Sequence, residues 1–541
     1  MEREIRWFAE SAILVKPYAG EDVHHLARTL NGLEGVEEAL PGARILVRPV
    51  VGHVEDVLEA TASIPFYERG TESPSTEQSR TIEIRVCFDG PDLEDIAETT
   101  TLTVGQVASA VEHAELRVAY LGFAPGFSYI EGLASPLSGV PRRASPRTSV
   151  AAGSVAIAGG YIGIYPRSSP GGWNVIGRTN MSLFDPLVPP YATLQPGDKV
   201  RFAAVEELDS TFPASPSANR PRRSSGRFIV IEDPGVLTTL QDAGRVAMGR
   251  LGVPRAGPAD ADMMRVANLL VGNAPGAGVL ESTISGPAVR FSSDGSSYAV
   301  VVGAAVEVDG RPVEPGAVFE VPAHGLVSVG ASVGLRSYMA CSGGITGPEM
   351  FGSCATDLLS GLGFGPLIRL DELGLGQPGR PRGYAAGIER HPTVRIVPGP
   401  DQFDRESLSR WTEEPFIVST DSNRIGVRLE RLERLEGHDG ATIGEALTEV
   451  SVGSYGMIEG AVQIPPSGDP IVLLADHATM GGYPVCATVI SSDLGAVAQA
   501  RPGDEITFEL VSLEEALEAR SSLDRQISRA PTGYFPTGEL F

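Results

Sequence analysis

The chain has 541 residues, a net charge of −25 and a pI near 4.8, which excludes the cationic surface a nucleic-acid binder needs to displace counterions from phosphates. Its 42% hydrophobic and 21% charged residues fit a soluble globular protein, and the length calls for about two to four separate cores. The 64 glycines and 42 prolines favour short strands joined by turns over long helices. No run of about 20 apolar residues occurs, and "MEREIRWFAESAILV" has no signal-peptide pattern, so the expected setting is cytoplasmic and off the membrane.

Four well-separated cysteines without a CxxC point to neither a zinc site nor a disulfide framework. The eight histidines are scattered and no HExxH occurs, so no protein-built metal site is expected. Only two lysines exist, Lys16 in "LVKPY" and Lys199 in "PGDKVRF". Neither follows a glycine-rich phosphate loop, sits between methionines as a biotin-carrying lysine does, or lies near an amidase-type serine loop. No covalent biotin is therefore expected, and no nucleotide cofactor has an evident motif.

In chain order, residues 11–60 read as a small α/β unit. "SAILV" and "ARILVRPV" are strands, "EDVHHLARTLNGL" is a helix with Val23, Leu26, Leu30 and Leu33 on one face, and a second short helix starts near Val54. "ERGTESPSTEQSR" (68–80) is a loop. "TIEIRVCF" alternates, with Ile82, Ile84, Val86 and Phe88 facing one way, as in a half-buried strand. Two short helices follow, and then, over 118–203, a barrel or sandwich pattern of short strands. "STFPASPSANRPRRSSGR" (210–227) is a linker, and a second glycine-rich, strand-rich half runs over 228–512. The halves share an order of features. "YIGIYPRSSPGGWNVIGRT" precedes "LQPGDKVRF", and "PIVLLADHATMGGYPVCATVISSD" precedes "ARPGDEITF". A strand, a polar turn, Gly-Gly-aromatic, another strand and Pro-Gly-Asp before an alternating strand imply two related barrels.

Several stretches could carry chemistry. "LGFAPGFSYIEGL" (121–133) reads as a binding loop or as a bend packed into a core. In "RSSPGGWNVIGRT", Gly171 and Gly172 would let a ligand approach, Trp173 offers a flat face, and Arg178 and Thr179 could hold an anion or carbonyl; a tight barrel turn accounts for the same residues. Arg147 could face a carboxylate or solvent. Gln241, Asp242 and Arg245 form a polar set or a capped turn. Asp260 or Asp262 caps the following helix, where Asn268 and Asn273 are ligand contacts or caps. In "LLADHATMGGYP", Asp476 and His477 precede Gly481 and Gly482, and His477 is the foremost titrating group, without a nucleophile partner in sequence.

"LGFAPGFSYIEGL", "VPRRASPRTSVAAGSVAIAGGYIGIYP" and "SPGGWNVIGRT…LFDP" resemble the allophanate hydrolase subunit 1 family, also known as the B subunit of 5-oxoprolinase or the sporulation kinase inhibitor family. "LTTLQDAGR", "GVPRAGPAD", "ANLLVGN", "YMACSGGI", "NRIGVRL" and "ADHATMGGYPV" resemble subunit 2, or the C subunit of 5-oxoprolinase. The resemblance implies a mainly β protein: a small N-terminal α/β domain (1–80), a cyclophilin-like β-barrel (81–209), the linker, a β-rich region (228–390), a second cyclophilin-like barrel (391–512) and a C-terminal tail (513–541). It also implies an active site between the B-like and C-like parts, a partner resembling the A-type 5-oxoprolinase subunit, and ATP with Mg²⁺ at the level of the complex. The expected activity is opening of 5-oxoproline, or of another small amide or lactam. The alternatives are carboxyl transfer in a biotin-dependent urea carboxylase-like system and inhibition of a histidine kinase, and a homo-oligomer is compatible with each.

Within these motifs Asp242, Asp476 and His477 are the candidate proton-handling groups. Arg147, Arg178, Arg245 and Arg424 are candidate anchors, joined by Gly171, Gly172, Trp173, Thr179, Gln241, Asp260, Gly481, Gly482 and Tyr483, with Pro125, Gly126 and Phe127 as one wall. The chain departs from the family pattern at Pro258 and Ala259, at Cys354 where an arginine is expected, and at His477 to Met480.

Overall fold

The computed structural model describes residues 3–50, 52–67, 80–143, 147–208, 226–292, 295–381, 390–391, 393–401, 403, 405–413, 415–431 and 453–529. Most of the expected linker (210–227), the loop at 68–80 except Arg80, and the terminal "GYFPTGELF" lie outside these residues.

The N-terminal unit is a four-stranded antiparallel sheet, Ile5–Phe8, Ala12–Val15, Ile45–Pro49 and Val36–Leu40, covered by helices Val23–Asn31 and Val54–Ala62. The first helix starts where Asp22 accepts the amides of His24 and His25, and it buries Leu26, Ala27 and Leu30. Ile5–Phe8 and Val36–Leu40 escaped the sequence reading because their polar residues mask the alternation.

The repeat is realised as two barrels with the same cyclic strand order. In the first, Thr81–Val86 is followed around the ring by Asn174–Arg178, Ser154–Ala158, Tyr161–Ile164, Ser128–Glu131, Leu116–Leu121 and Lys199–Ala204, which pairs in parallel with Thr81–Val86. Cys87 and Arg178 close the ring through reciprocal amide–carbonyl bonds of 2.9 Å. In the second, the corresponding strands are Val394–Pro398, Val485–Val489, Ala461–Gln463, Ile471–Leu473, Gly426–Arg431, Phe416–Val418 and then Glu505–Ile506 with Phe508–Leu510, the last again parallel to the first. Gly171-Gly172-Trp173 and Gly481-Gly482-Tyr483 thus enter the same strand of each barrel. Ile84, Val155, Ile157, Ile162, Ile164 and Ile176 are fully buried in the first, each contributing about 1.5–3 kcal/mol.

Between the barrels an eleven-stranded sheet is organised on the 16-residue strand Leu326–Cys341, with its own core around Ile229, Phe291 and Val301. Helix Ala261–Leu270 packs beside it, capped by Asp260 through the Met263 amide at 3.2 Å. The expected tail at 513–541 begins instead as helix Leu513–Arg529. Ala516, Leu523 and Ile527 share one buried face of it, and Arg520 pairs with Asp262 at 2.9 Å.

Candidate functional site at the joint between the halves

The loop 121–133 docks the first barrel onto the second half. Gly126 (φ +80) donates its amide to the Leu251 carbonyl at 3.0 Å, and a Cβ on Gly252 (φ +75) would meet the Ala124 carbonyl at 2.1 Å. Phe127 lies in an aromatic cluster, edge-on to Trp173 at 5.4 Å and to Tyr165 at 5.5 Å, and Met480 from the second barrel completes it. Arg142 donates to the Gly482 carbonyl at 2.8 Å, while the Arg143 amide donates to the Gly172 carbonyl at 2.8 Å. Consecutive residues therefore tie down the equivalent turns of the two barrels. Gly126 and Phe127 thus take part in the joint, with Trp173 buried in the same aromatic cluster.

Beside this joint lies a recess lined by Glu38, Leu40 and Arg48 of the N-terminal unit, Arg245, Gly249, Val253, Pro254 and Arg255 of the following loop, and His477 and Thr479 of the second barrel. Three units converge on it. His477 is buried, and its Nδ1 lies 2.8 Å from the Ala478 carbonyl. A carbonyl only accepts, so Nδ1 carries the proton and Nε2 is left with its lone pair. Burial, reinforced by Arg48, pushes the His477 pKa down to about 4, so the ring is neutral near pH 7. Arg48 donates to the Met457 carbonyl at 2.8 Å, and Arg255 pairs with Glu37 at 3.0 Å. Glu459, two residues beyond Met457, is half-buried within electrostatic reach of Arg48, Arg255, Arg424, Asp260 and Asp476. Burial pushes its carboxyl up to about 7, matched to proton transfer near neutrality.

Arg245 is 2% exposed. Its loop is set by Asp242 Oδ1, which accepts the Gly244 amide at 2.9 Å, and by the Arg245 amide on the Arg255 carbonyl at 2.8 Å. One guanidinium nitrogen, Nη2, donates to the Ala355 carbonyl at 2.5 Å; Nε and Nη1 have no protein acceptor among the described residues. The Thr479 hydroxyl in the same recess has no partner there either.

The other expected residues are committed elsewhere. Asp242 also accepts the Ser353 hydroxyl at 2.5 Å and the Cys354 amide at 2.8 Å, and the Cys354 thiol sits 3.2 Å from it. Burial and that carboxylate push the Cys354 thiol well up, so it is no thiolate nucleophile. Asp476 faces Arg424 through both oxygens at 3.0 and 2.8 Å, and Arg424 also binds Glu281 and the Gly257 carbonyl. Asp357 alongside is pushed up to about 6, first by burial and then by Asp476. Arg147 is bidentate to Asp92 at 2.7 Å, and Arg178 lies on the barrel exterior against Asp89 at 2.8 Å. Thr179 accepts the Met181 amide. Asp260 binds Arg390 and Gln499 as well as its helix. Gln241 donates to Thr239 and Thr356. Asn268 and Asn273 hold the turn after their helix. Gly481 and Gly482 pack on Gln463 and Arg142, and Tyr483 is partly buried near Arg142. Of the candidates, Arg245 and His477 meet in the recess. Glu38, Arg48, Arg255 and Glu459 were missed, since no local pattern marks them.

Residues 4–194 match the model for the carboxyltransferase domain, subdomain C and D, and residues 251–510 the model for subdomain A and B. The chain is 36% identical over 300 residues to the C subunit of 5-oxoprolinase from Escherichia coli (strain K12), covering 54% of this chain and 94% of that protein. It is 39% identical over 188 residues to the B subunit of 5-oxoprolinase from Escherichia coli O157:H7, covering 34% of this chain and 85% of that protein. The crystal structure of TTHA0988 superposes with a TM-score of 0.77 at 31% identity, covering 94% of this chain and 100% of that one. The chain belongs to the family of the B and C subunits of 5-oxoprolinase, and it carries a B-like and a C-like half on one polypeptide.

Proposed function

We propose that this chain is the B/C component of an ATP-dependent 5-oxoprolinase-like amide hydrolase and works with an A-type partner. The observation that carries the reading is the joint: the B-like and C-like halves together build one arginine-lined recess that holds a neutral histidine, with the Glu459 carboxyl, poised near pH 7, within electrostatic reach of its arginines.

Opening the ring adds water to the carbonyl carbon, breaks its bond to nitrogen, and delivers a proton to that nitrogen. A lactam amide resists this, so its carbonyl needs activation, which ATP supplies. In this reading nucleotide and Mg²⁺ act at the level of the complex, on the A-type partner, because neither lysine of this chain follows a phosphate-cradling loop. On this chain His477 Nε2 accepts a hydrogen bond from water or the ring nitrogen, Glu459 takes up and returns the proton, and Arg48 and Arg255 offset developing negative charge.

The test is an ATPase assay of the chain with its A-type partner on 5-oxoproline, urea and allophanate. ATP consumption with glutamate release on 5-oxoproline is expected; ATP use with none of the three refutes the reading. Carboxyl transfer is the second reading, because both matched models describe carboxyltransferase subdomains. Biotin-dependent carboxylation of urea by the chain with a separate carrier would establish it.

A further inference from the structure

We infer that the recess at the joint binds a small carboxylate, with Arg245 as its anchor and the Thr479 hydroxyl as its second contact. Arg245 Nε and Nη1 carry three N–H hydrogens, none with a protein acceptor among the described residues, on a side chain 2% exposed. Buried guanidinium groups are ordinarily fully hydrogen-bonded and paired. The carboxylates around this one are already engaged: Asp242 by Gly244, Ser353 and Cys354, Asp476 by Arg424, and Asp357 by the amides of Leu359 and Ser360. None lies within ion-pair distance of Arg245 among the described residues. The Thr479 hydroxyl, on a side chain 5% exposed in the same lining, also has no partner among the described residues. Two independent side chains of the recess lining thus carry unmet polar atoms.

The charges select the class of ligand. Arg48 and Arg255 in the lining are faced by Glu38 at 3.9 Å and Glu37 at 3.0 Å, so among the described residues Arg245 is the lining cation without a carboxylate at ion-pair distance, and it suits an anion. Glu38, with Glu459 nearby, opposes a dianion, and Leu40, Val253 and Pro254 supply apolar walls. A monoanionic carboxylate on a small, partly apolar body fits these terms better than phosphate. That the natural ligand is the 5-oxoproline carboxylate rests on the functional reading above; the site itself does not.

Calorimetric titration of the full chain, without partner, tests the site with 5-oxoproline, acetate, inorganic phosphate and 2-pyrrolidone, which keeps the lactam and lacks the carboxylate. 5-Oxoproline is expected to bind at least about tenfold more tightly than 2-pyrrolidone, and Arg245→Gln to lose at least about tenfold for the carboxylates. Arg245→Lys should recover part of that loss by keeping the charge, and Arg250→Gln, on an exposed neighbour, should change nothing. Circular dichroism and melting confirm that each variant is folded, and should Arg245→Gln fail to fold, Arg245→Lys and Thr479→Val carry the comparison. Equal binding of 5-oxoproline and 2-pyrrolidone, undiminished binding by folded Arg245 variants, preference for phosphate, or no carboxylate binding overturns the proposal. Arg245-dependent binding of acetate and 5-oxoproline without turnover on 5-oxoproline would uphold the site and reject the functional reading.

Discussion

Arg424→Met separates a structural from a substrate-binding role for the Arg424–Asp476 pair. Arg424 is 3% exposed and donates to Asp476 at 3.0 and 2.8 Å, to the Gly257 carbonyl at 2.6 Å, and to Glu281. Glu281 keeps a lowered pKa in spite of complete burial, because Arg424 and Arg336 hold it ionised. Methionine leaves two buried carboxylates short of their main cation. Removing one partner of a buried pair costs about 3–5 kcal/mol, and a domain of 150–250 residues loses about 2–4 °C per kcal/mol, so the second-half transition should fall by about 6–20 °C. Asp476→Asn in the Arg424→Met background should restore part of this, since Glu281 retains Arg336 at 3.8 Å. Differential scanning calorimetry reads the shift, and KM measured well below the transition should be nearly unchanged. A melting point within about 2 °C of the parent chain combined with a large rise in KM would refute the structural assignment and place Arg424 on the substrate.

His477→Asn should flatten the acid slope of stability. The folded histidine, near pKa 4, refuses the proton that the unfolded chain takes up near 6.5, so the parent chain loses on the order of 3 kcal/mol between pH 6.5 and 4 and the variant does not; melting at pH 7 and pH 5 checks this. Glu459→Gln should remove the ascending limb near pH 7 from the kcat/KM profile of the reconstituted complex, and an unmoved limb would exclude Glu459 as the base. Asp92→Asn should destabilise the first barrel at pH 7. Asp92 is held below its ordinary pKa by Arg147, Arg143 and the Val175 amide, so its stabilisation is present above pH 4 and lost in acid, and the two chains' melting points should converge as the pH falls below about 4. Gly252→Ala should loosen the joint, because the new methyl meets the Ala124 carbonyl and the residue is held at φ +75; a calorimetric trace that separates into independent transitions of the two halves is the expected sign.

The barrels were legible because their signals are local. Ile84 and Val86 alternate with Glu83 and Arg85 over one strand, and Gly-Gly-aromatic followed by Pro-Gly-Asp marks the same two corners in each half. The helix at 513–529 could have been read from the spacing of Ala516, Leu523 and Ile527, and its many charges hid that face. The site belongs to a different kind of information. Glu38 and Arg48 sit on strands whose polar residues ordinarily face water, and the Arg245 loop, Glu459 and His477 are hundreds of residues away in the chain. Asp242 and Arg245 looked alike in sequence, three residues apart and both polar. The fold gives Asp242 donors for both oxygens and leaves two nitrogens of Arg245 without acceptors among the described residues. A motif can place a charge near a ligand, but whether that charge is already spent on its own protein is decided by what the rest of the chain brings to it. Here that distinction moves the candidate site from the Gly-Gly-Trp turn, which the joint consumes, to the recess beside it.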